Sequence, residues 1–406
     1  MLTKAPPKSP SQSRVILLTG RFLRVSRKRP CRVCDSPTYC GYSSDERTSI
    51  CMWVSEGSKR PSRNGGHIHV HKDIPFSIPT IVPTKPTPPE IPAASIEIRD
   101  AVYRELIRIS PATSYPSLVS GPHGLLSRGL EKSELTRYGA LPPSPEGRAE
   151  LARQLVQFIN NNFPDHARKY HGTGIIGIPG FWLDPYHQNP QIWKCSYRKP
   201  LLVVPYHDTD GRIQACQMRL HKADVPEDER RYRWLSSPYE PKGCSSGTPI
   251  HFTFNPTTLP AGSTVVITEG ALKADVLAFL RPKAHVVATS GVACSHEQLI
   301  AATSPYHAFI AFDADHKTNP HVCRQLARLI AGRELQNRKH NPSLTTSIVH
   351  WTGFNGIDDA AKSPLTKFTS LSITQWLSSL SGEPRKQVQE LWLDLRYQPP
   401  TKRFAS

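Results

Sequence analysis

Two segments constrain this chain more than any others: Val265-Val-Ile-Thr-Glu-Gly-Ala-Leu-Lys-Ala-Asp275 and Ala308-Phe-Ile-Ala-Phe-Asp-Ala-Asp315. Each is an apolar run of strand length that stops abruptly at carboxylates, and each is followed by a helix-like pattern. Around them Thr264–Thr268, Leu272–Leu280, His285–Thr289, His296–Ala301, His307–Phe312 and Val322–Ala331 read as β-α-β-α-β-α. Strands separated by helices of this length imply right-handed crossovers and a parallel sheet. Residues just past the carboxyl ends of such strands face the ligand crevice. If the two strands are neighbours, Glu269, Asp313 and Asp315 converge there. Like charges about 4 Å apart repel by roughly 4 kcal/mol at an effective dielectric near 20, so the cluster needs a cation or must hold protons. A hard divalent ion with oxygen ligands, Mg²⁺ or Mn²⁺, answers that need. Neutralising Asp313 to Asn is then expected to relieve repulsion and stabilise the metal-free protein. Lys273 lies one turn after Glu269 and can face the same crevice as a phosphate partner; packing, or an ion pair with Asp275, is the plainer alternative.

Glu269-Gly270 after one strand and Asp313-Ala-Asp315 after a later one resemble the Toprim domain of bacterial primases, topoisomerases and some nucleases. Thr268-Glu-Gly-Ala-Leu-Lys-Ala-Asp275, Ser290-Gly-Val292, Phe312-Asp-Ala-Asp-His-Lys-Thr-Asn319 and Gly356-Ile-Asp-Asp359 follow in an order that resembles the Toprim variant of primase-like proteins of phages, plasmids and integrative elements. The resemblance implies an α/β fold: a Toprim, Rossmann-like parallel sheet with flanking helices, preceded by a mixed α+β subdomain and a small N-terminal zinc-binding module.

The rest of the chain is consistent with that organisation. Its 406 residues allow two or three domains, but 39 prolines and 38% apolar content mean that part of it is linker or tail. The excess of 51 Lys+Arg over 33 Asp+Glu, a net +18, attracts polyanions, nucleic acid above all. No apolar run is long enough to span a membrane, and no signal-peptide core or cleavage site stands at the start, which reads as a cytoplasmic protein.

Nine cysteines do not form a secreted framework. Four crowd between Cys31 and Cys51, opening with Cys31-Arg-Val-Cys34. A Cys-x₂-Cys turn can place two thiolates on one ion, and tetrahedral zinc needs two more ligands. Cys40 and Cys51 can supply them; His67, His69 and His71 compete. The layout resembles the zinc module of the same primase-like proteins, which implies contact with single-stranded DNA.

By these signals residues 1–28 are a basic tail, 29–72 the zinc module, and 73–95 a proline-rich linker. Residues 96–170 are a helical segment, 171–250 a β-rich primase-like subdomain, 251–362 the Toprim domain and 363–406 a C-terminal tail. Ile98, Val102, Leu106 and Ile109 recur at helical spacing. Leu126-Ser-Arg-Gly-Leu-Glu-Lys-Ser-Glu134 resembles a helical segment preceding primase catalytic cores and is read as packing. Asp208-Thr-Asp-Gly-Arg212 between two apolar runs marks a hairpin. The resemblance implies that this hairpin's polar face lines a nucleotide and template groove, with Arg219, Arg233 and Lys222 contacting phosphate.

The expected function is therefore metal-dependent nucleotidyl transfer on single-stranded DNA with nucleoside triphosphates, during replication of a mobile element. Glu269, Asp313, Asp315 and Lys273 would be catalytic, with two Mg²⁺ or Mn²⁺ ions on the three carboxylates and zinc in the N-terminal module. No Walker A loop is present, so the chain either partners a separate helicase or works without one. A non-polymerising single-strand-binding accessory protein and a Toprim nuclease are the alternatives.

Overall fold

The computed structural model describes residues 22–26, 29–36, 40–43, 46–62, 66–71, 91–184, 186–193, 199–221 and 231–397. Most of the basic tail and nearly all of the proline-rich linker lie outside these residues, as does Lys222. The chain divides into two compact units, one up to residue 86 and one from residue 87 onward.

The first unit is a small antiparallel sheet of β1 (Leu23–Arg24), β2 (Gly41–Tyr42), β3 (Thr48–Cys51), β4 (Arg60–Pro61) and β5 (His67–Val70), in the order β1-β2-β3-β5-β4. Among its described residues the buried apolar side chains are few: Val25, Trp53 and Val54, beside Cys31, Cys40 and Cys51. So little apolar burial leaves the sulfur cluster to organise the unit.

The second unit opens with α1 (Ile96–Ile109), α2 (Pro116–Val119), β6 (Gly139–Leu141), α3 (Pro145–Asn162) and α4 (Pro164–Lys169). Then come β7 (Phe181–Leu183), β8 (Pro190–Ile192), β9 (Leu201–His207), β10 (Ile213–Arg219) and β11 (Tyr232–Trp234). The expected helical segment is not separate from the β-rich one. Val102 and Leu106 of α1 and Leu151 and Leu155 of α3 share one core with Val203, Cys216 and Met218 of the β11-β10-β9-β6 sheet. The Asp208–Arg212 hairpin forms as read: β9 and β10 pair antiparallel, and Asp208 Oδ1 accepts from the amides of Asp210 and Arg212. Residues Gly174–Gly180 form turns. Gly180 has φ +93°, and a Cβ there would lie 2.3 Å from Leu235 Cγ, which excludes an ordinary strand residue.

The remainder is β12 (His251–Phe252), β13 (Thr264–Glu269), α5 (Ala271–Leu280), β14 (His285–Thr289), α6 (His296–Thr303), β15 (His307–Ile310), α7 (Pro320–His340), β16 (Thr346–His350), α8 (Ile357–Lys362), β17 (Thr369–Leu371), α9 (Ile373–Ser379) and α10 (Gly382–Tyr397). The sheet runs β12-β14-β13-β15-β16-β17, with the four central strands parallel and both edges antiparallel. Val204 and Tyr206 of β9 pack with Leu272 and Val276 of α5, which joins the two sheets through a common core.

The stretch after Lys362, expected as a tail, folds as far as Tyr397. Ser372 and Gln375 form a capping box that starts α9, and Trp376, Leu380, Val388 and Leu391 are buried against Leu326, Leu329 and Ile330 of α7. The apolar positions of this segment are too sparse to show a helical face until α7 supplies the opposing surface. Among the described residues no helix is long and apolar enough to cross a membrane.

Candidate metal and phosphate site

The chain leaves β13 for β14 on one side, then crosses to β15 on the other side of β13. A crevice opens at such a reversal, beyond the carboxyl ends of the two strands. Glu269 is the last residue of β13, and Asp313 and Asp315 follow β15, so strand order alone delivers all three carboxylates to one place. Gly270, at φ +85°, turns the chain from β13 straight into α5, and one turn later α5 presents Lys273.

Lys273 Nζ lies 3.5 Å from Glu269 Oε1 and bonds Asp313 Oδ1 directly. Its partner is therefore not Asp275, whose carboxylate is buried elsewhere among Arg137, Tyr138 and His251. Asp313 Oδ2 accepts from Asn355 Nδ2 at 3.1 Å, and Asp315 Oδ2 accepts from Asn319 Nδ2 at 2.9 Å. Burial pushes Glu269 up to about 7 against the attraction of Lys273, and the charges of Asp313 and Asp315 add to the rise. Asp315 is raised as well, again mainly by burial. The relief expected from neutralising Asp313 changes sign on this geometry, because Asp313 is the carboxylate that the lysine already compensates.

Sequence reasoning missed the next shell. Asp358 on α8 is 1% exposed and accepts from Arg128 Nη2 at 2.5 Å. A Cβ on Gly356 would fall 2.5 Å from Asp358 Oδ1 and 3.5 Å from Lys273 Cε, so both side chains lie against Gly356. Asp315 Oδ1 and Asp358 Oδ1 are both buried without a hydrogen-bond partner, as are Arg128 Nε and Arg219 Nε. Such atoms beside one crevice call for a partner there, whether water, ion or ligand. Asp358 stands in the Gly356–Asp359 motif and Arg128 in the Leu126–Glu134 phrase. The signals were on the page, but nothing local says that they meet.

The basic residues divide. Arg219 is buried, donates to the His123 carbonyl, and is held down at about 10 by desolvation while feeling the nearby Arg231, Arg128 and Asp358. It pairs in register with Tyr232, whereas Arg233 pairs with Met218. Successive side chains on a strand point to opposite faces, so Arg219 and Arg233 do not line one groove. Arg128 takes the place beside Arg219 that the sequence suggested for Arg233.

Oxygen donors, one of them orphaned and buried, suit a hard divalent cation on Glu269, Asp313 and Asp315. These carboxylates are looser than the sulfur cluster. Among the described residues the one group of three or more donor atoms mutually within 4.8 Å is Cys31, Cys34, Cys40 and Cys51. Cys34 Sγ and Cys40 Sγ are 3.6 Å apart, close to the edge of about 3.8 Å for a tetrahedron with 2.3 Å zinc–sulfur bonds. The amides of Trp53 and Val54 point at Cys51 Sγ at 3.4 and 3.3 Å, and Met52 N lies 3.4 Å from Cys40 Sγ, contacts that favour thiolates. Hydrogen bonds from Cys34, Cys40 and Cys51 hold Cys31 below an ordinary thiol, while Cys31, Cys34 and Cys51 push Cys40 up. The four cannot all ionise unless a cation joins them. His69, the alternative ligand, instead places its Nε2 2.7 Å from the Val54 carbonyl.

No protein-family model matches the chain, and no curated protein matches it. Among solved structures it is similar to the primase of Aquifex aeolicus (zinc-binding and RNA polymerase domains), at 13% identity over 76% of this chain and 75% of that one, TM-score 0.45. A DnaG primase catalytic domain bound to ssDNA gives 14% identity over 75% and 95%, TM-score 0.44. The RNA polymerase domain of Mycobacterium tuberculosis DnaG gives 13% over 75% and 99%, TM-score 0.42. These neighbours are DnaG-type primase cores at low sequence identity.

Proposed function

We propose that this chain is a primase-like enzyme that performs metal-dependent nucleotidyl transfer on single-stranded DNA. The observation that carries the reading is the convergence of Glu269, Asp313 and Asp315 at the β13/β15 reversal, with Asp315 Oδ1 buried and unpartnered. These three carboxylates would hold Mg²⁺ or Mn²⁺, which when bound supplies Lewis-acid stabilisation of phosphoryl oxygens and makes a hydroxyl a better nucleophile.

The protein's own part is positioning and charge. Asn355 and Asn319 each occupy one oxygen of Asp313 and Asp315, which fixes the carboxylate planes and leaves the other oxygens for ligation or for Lys273. Arg128 and Arg219, each with an unpaired buried Nε, set a positive field beside the carboxylates where a triphosphate would lie. The four-cysteine module would hold zinc and extend the grip on the template strand. In the same reading the protein works in the cytoplasm with a separate helicase, in replication of a mobile element.

The test is synthesis of short labelled products from nucleoside triphosphates on single-stranded DNA, with Mg²⁺ or Mn²⁺ and zinc-loaded protein. Loss of product in Asp315→Asn is expected. A folded wild type that makes no product under either metal, yet binds single strands with a steep salt dependence, would replace this reading with that of an accessory protein; nicking of plasmid DNA would replace it with a nuclease.

A further inference from the structure

The position between Glu269 and Asp313, where a second cation would be expected, is taken by Lys273 Nζ. A lysine need not be there. Its stem leaves α5 four residues after Glu269, and Asp275, two residues further along the same helix, is engaged with His251, Arg137 and Tyr138 on another side. Burial works against the ammonium, and the carboxylates of Glu269 and Asp313 hold it charged. The crevice thus contains four carboxylates, Glu269, Asp313, Asp315 and Asp358, and two resident cations, Lys273 and Arg128. With all four carboxylates ionised, two negative charges are left over, no more than one divalent ion neutralises, and Arg219, which feels both Arg128 and Asp358, adds further positive field.

We infer that this site takes a single divalent metal ion, on the Asp315 side of the cluster, with the Lys273 ammonium as a built-in replacement for a second one. The two orphaned oxygens agree with that placement. Asp315 Oδ1 is buried without a partner, whereas both Asp313 oxygens are already engaged, by Lys273 and by Asn355. Asp358, nine-tenths and more buried, carries the other orphaned oxygen, and its charge helps to hold the Lys273 ammonium charged. Two-ion sites stabilise attacking and leaving oxygens symmetrically. Here one of the two roles falls to a fixed point charge, which cannot exchange and requires no metal concentration. The inference rests on the metal-binding reading of the site, and it fixes the stoichiometry of that site.

The experiment is a count of Mn²⁺ bound to the full, zinc-loaded chain, by equilibrium dialysis and by the electron paramagnetic resonance of the bound ion. Zinc keeps the thiolate module closed to the harder probe. Wild type is expected to bind one Mn²⁺ with an uncoupled spectrum. Lys273→Gln should bind a second ion, or bind the first at least about tenfold more tightly, because a unit of positive charge has left the crevice. Lys273→Arg should remain at one. Two ions in wild type, or a spin-coupled pair, would overturn the inference while leaving the metal site in place. Wild type and Lys273→Gln alike in number and affinity would overturn it too. No Mn²⁺ in any of the three would overturn both the inference and the reading on which it rests. The wild-type count needs no variant, so a poorly folding Lys273→Gln does not spoil the test.

Discussion

Glu269 offers the most direct measurement of the crevice, because its environment can be changed by pH, by metal and by one substitution. In the folded protein burial raises its carboxyl from 4.5 to about 7. Below the lower value it is protonated in both folded and unfolded chains and contributes no pH dependence. Between the two values the unfolded chain has released the proton and the folded one retains it, so stability falls as pH rises. Above about 7 the penalty is complete. A rise of this size corresponds to about 3 kcal/mol, on a side chain that is 20% exposed, and to a melting shift on the order of 5 °C for a unit this large. The assay is thermal melting of the second unit from pH 5 to pH 8 in magnesium-free buffer, without chelator so that any metal on the four cysteines is kept. His207, His296, His316 and His321, held neutral by burial, add stability as pH rises toward 6.5 in wild type and variant alike, so the readout is the difference between the two. Glu269→Gln should gain on wild type steadily from pH 5 to pH 7 and should melt several degrees above it at pH 8. Mg²⁺ should restore wild type by mass action, about 2.7 kcal/mol at a hundred times its dissociation constant, and should do little for the variant. Asp313→Asn should move the other way, losing about 1–3 kcal/mol, because a partly buried ammonium loses its bonded partner. Equal stabilisation of the metal-free protein by both substitutions would refute the assignment of Lys273 to Asp313 and restore simple carboxylate repulsion.

Three further outcomes test other parts of the structure. Cys34→Ser should lose the bound zinc, one per chain, and unfold the first unit while the melting of the second stays unchanged, as followed by metal content and two-transition calorimetry. Asp358→Asn takes from buried Arg128 the carboxylate it bonds and should destabilise the second unit by about 3 kcal/mol in denaturant titration. Gly356→Ala puts a methyl group 2.5 Å from Asp358 Oδ1 and should lower Mn²⁺ affinity and product yield more than it lowers stability.

Much of the second unit was legible because it obeys local rules. Apolar runs ending in carboxylates, separated by ten-residue helices, gave β13, α5, β14, α6 and β15 nearly to the residue. The Asp-Gly hairpin held, since Asp208 caps its own turn. What local patterning could not give was anything decided by a partner distant in sequence. The segment beyond Lys362 looked like a tail because α10 buries its few apolar residues only against α7. Arg219 and Arg233 were expected together because the resemblance to primase cores implies that both contact phosphate. Their faces are set by a strand register, Arg219 opposite Tyr232 and Arg233 opposite Met218, that no composition reveals.

Lys273 shows the same limit at the site itself. From sequence it has two acidic neighbours, Glu269 four residues before, at the end of β13, and Asp275 two residues after, on α5. Helical geometry decides half the question, since residues two apart on a helix face different sides. That favours Glu269 over Asp275 and was available in advance. It does not predict Asp313, forty residues away, which reaches Lys273 because β15 lies directly beside β13 rather than beyond β14. Had the strand order been sequential, β14 would stand between the two carboxylate-bearing strands and the lysine would face Glu269 alone. The crossover back past β13 therefore does two things at once. It gathers carboxylates into a crevice that needs a cation, and it supplies the first of those cations from the protein.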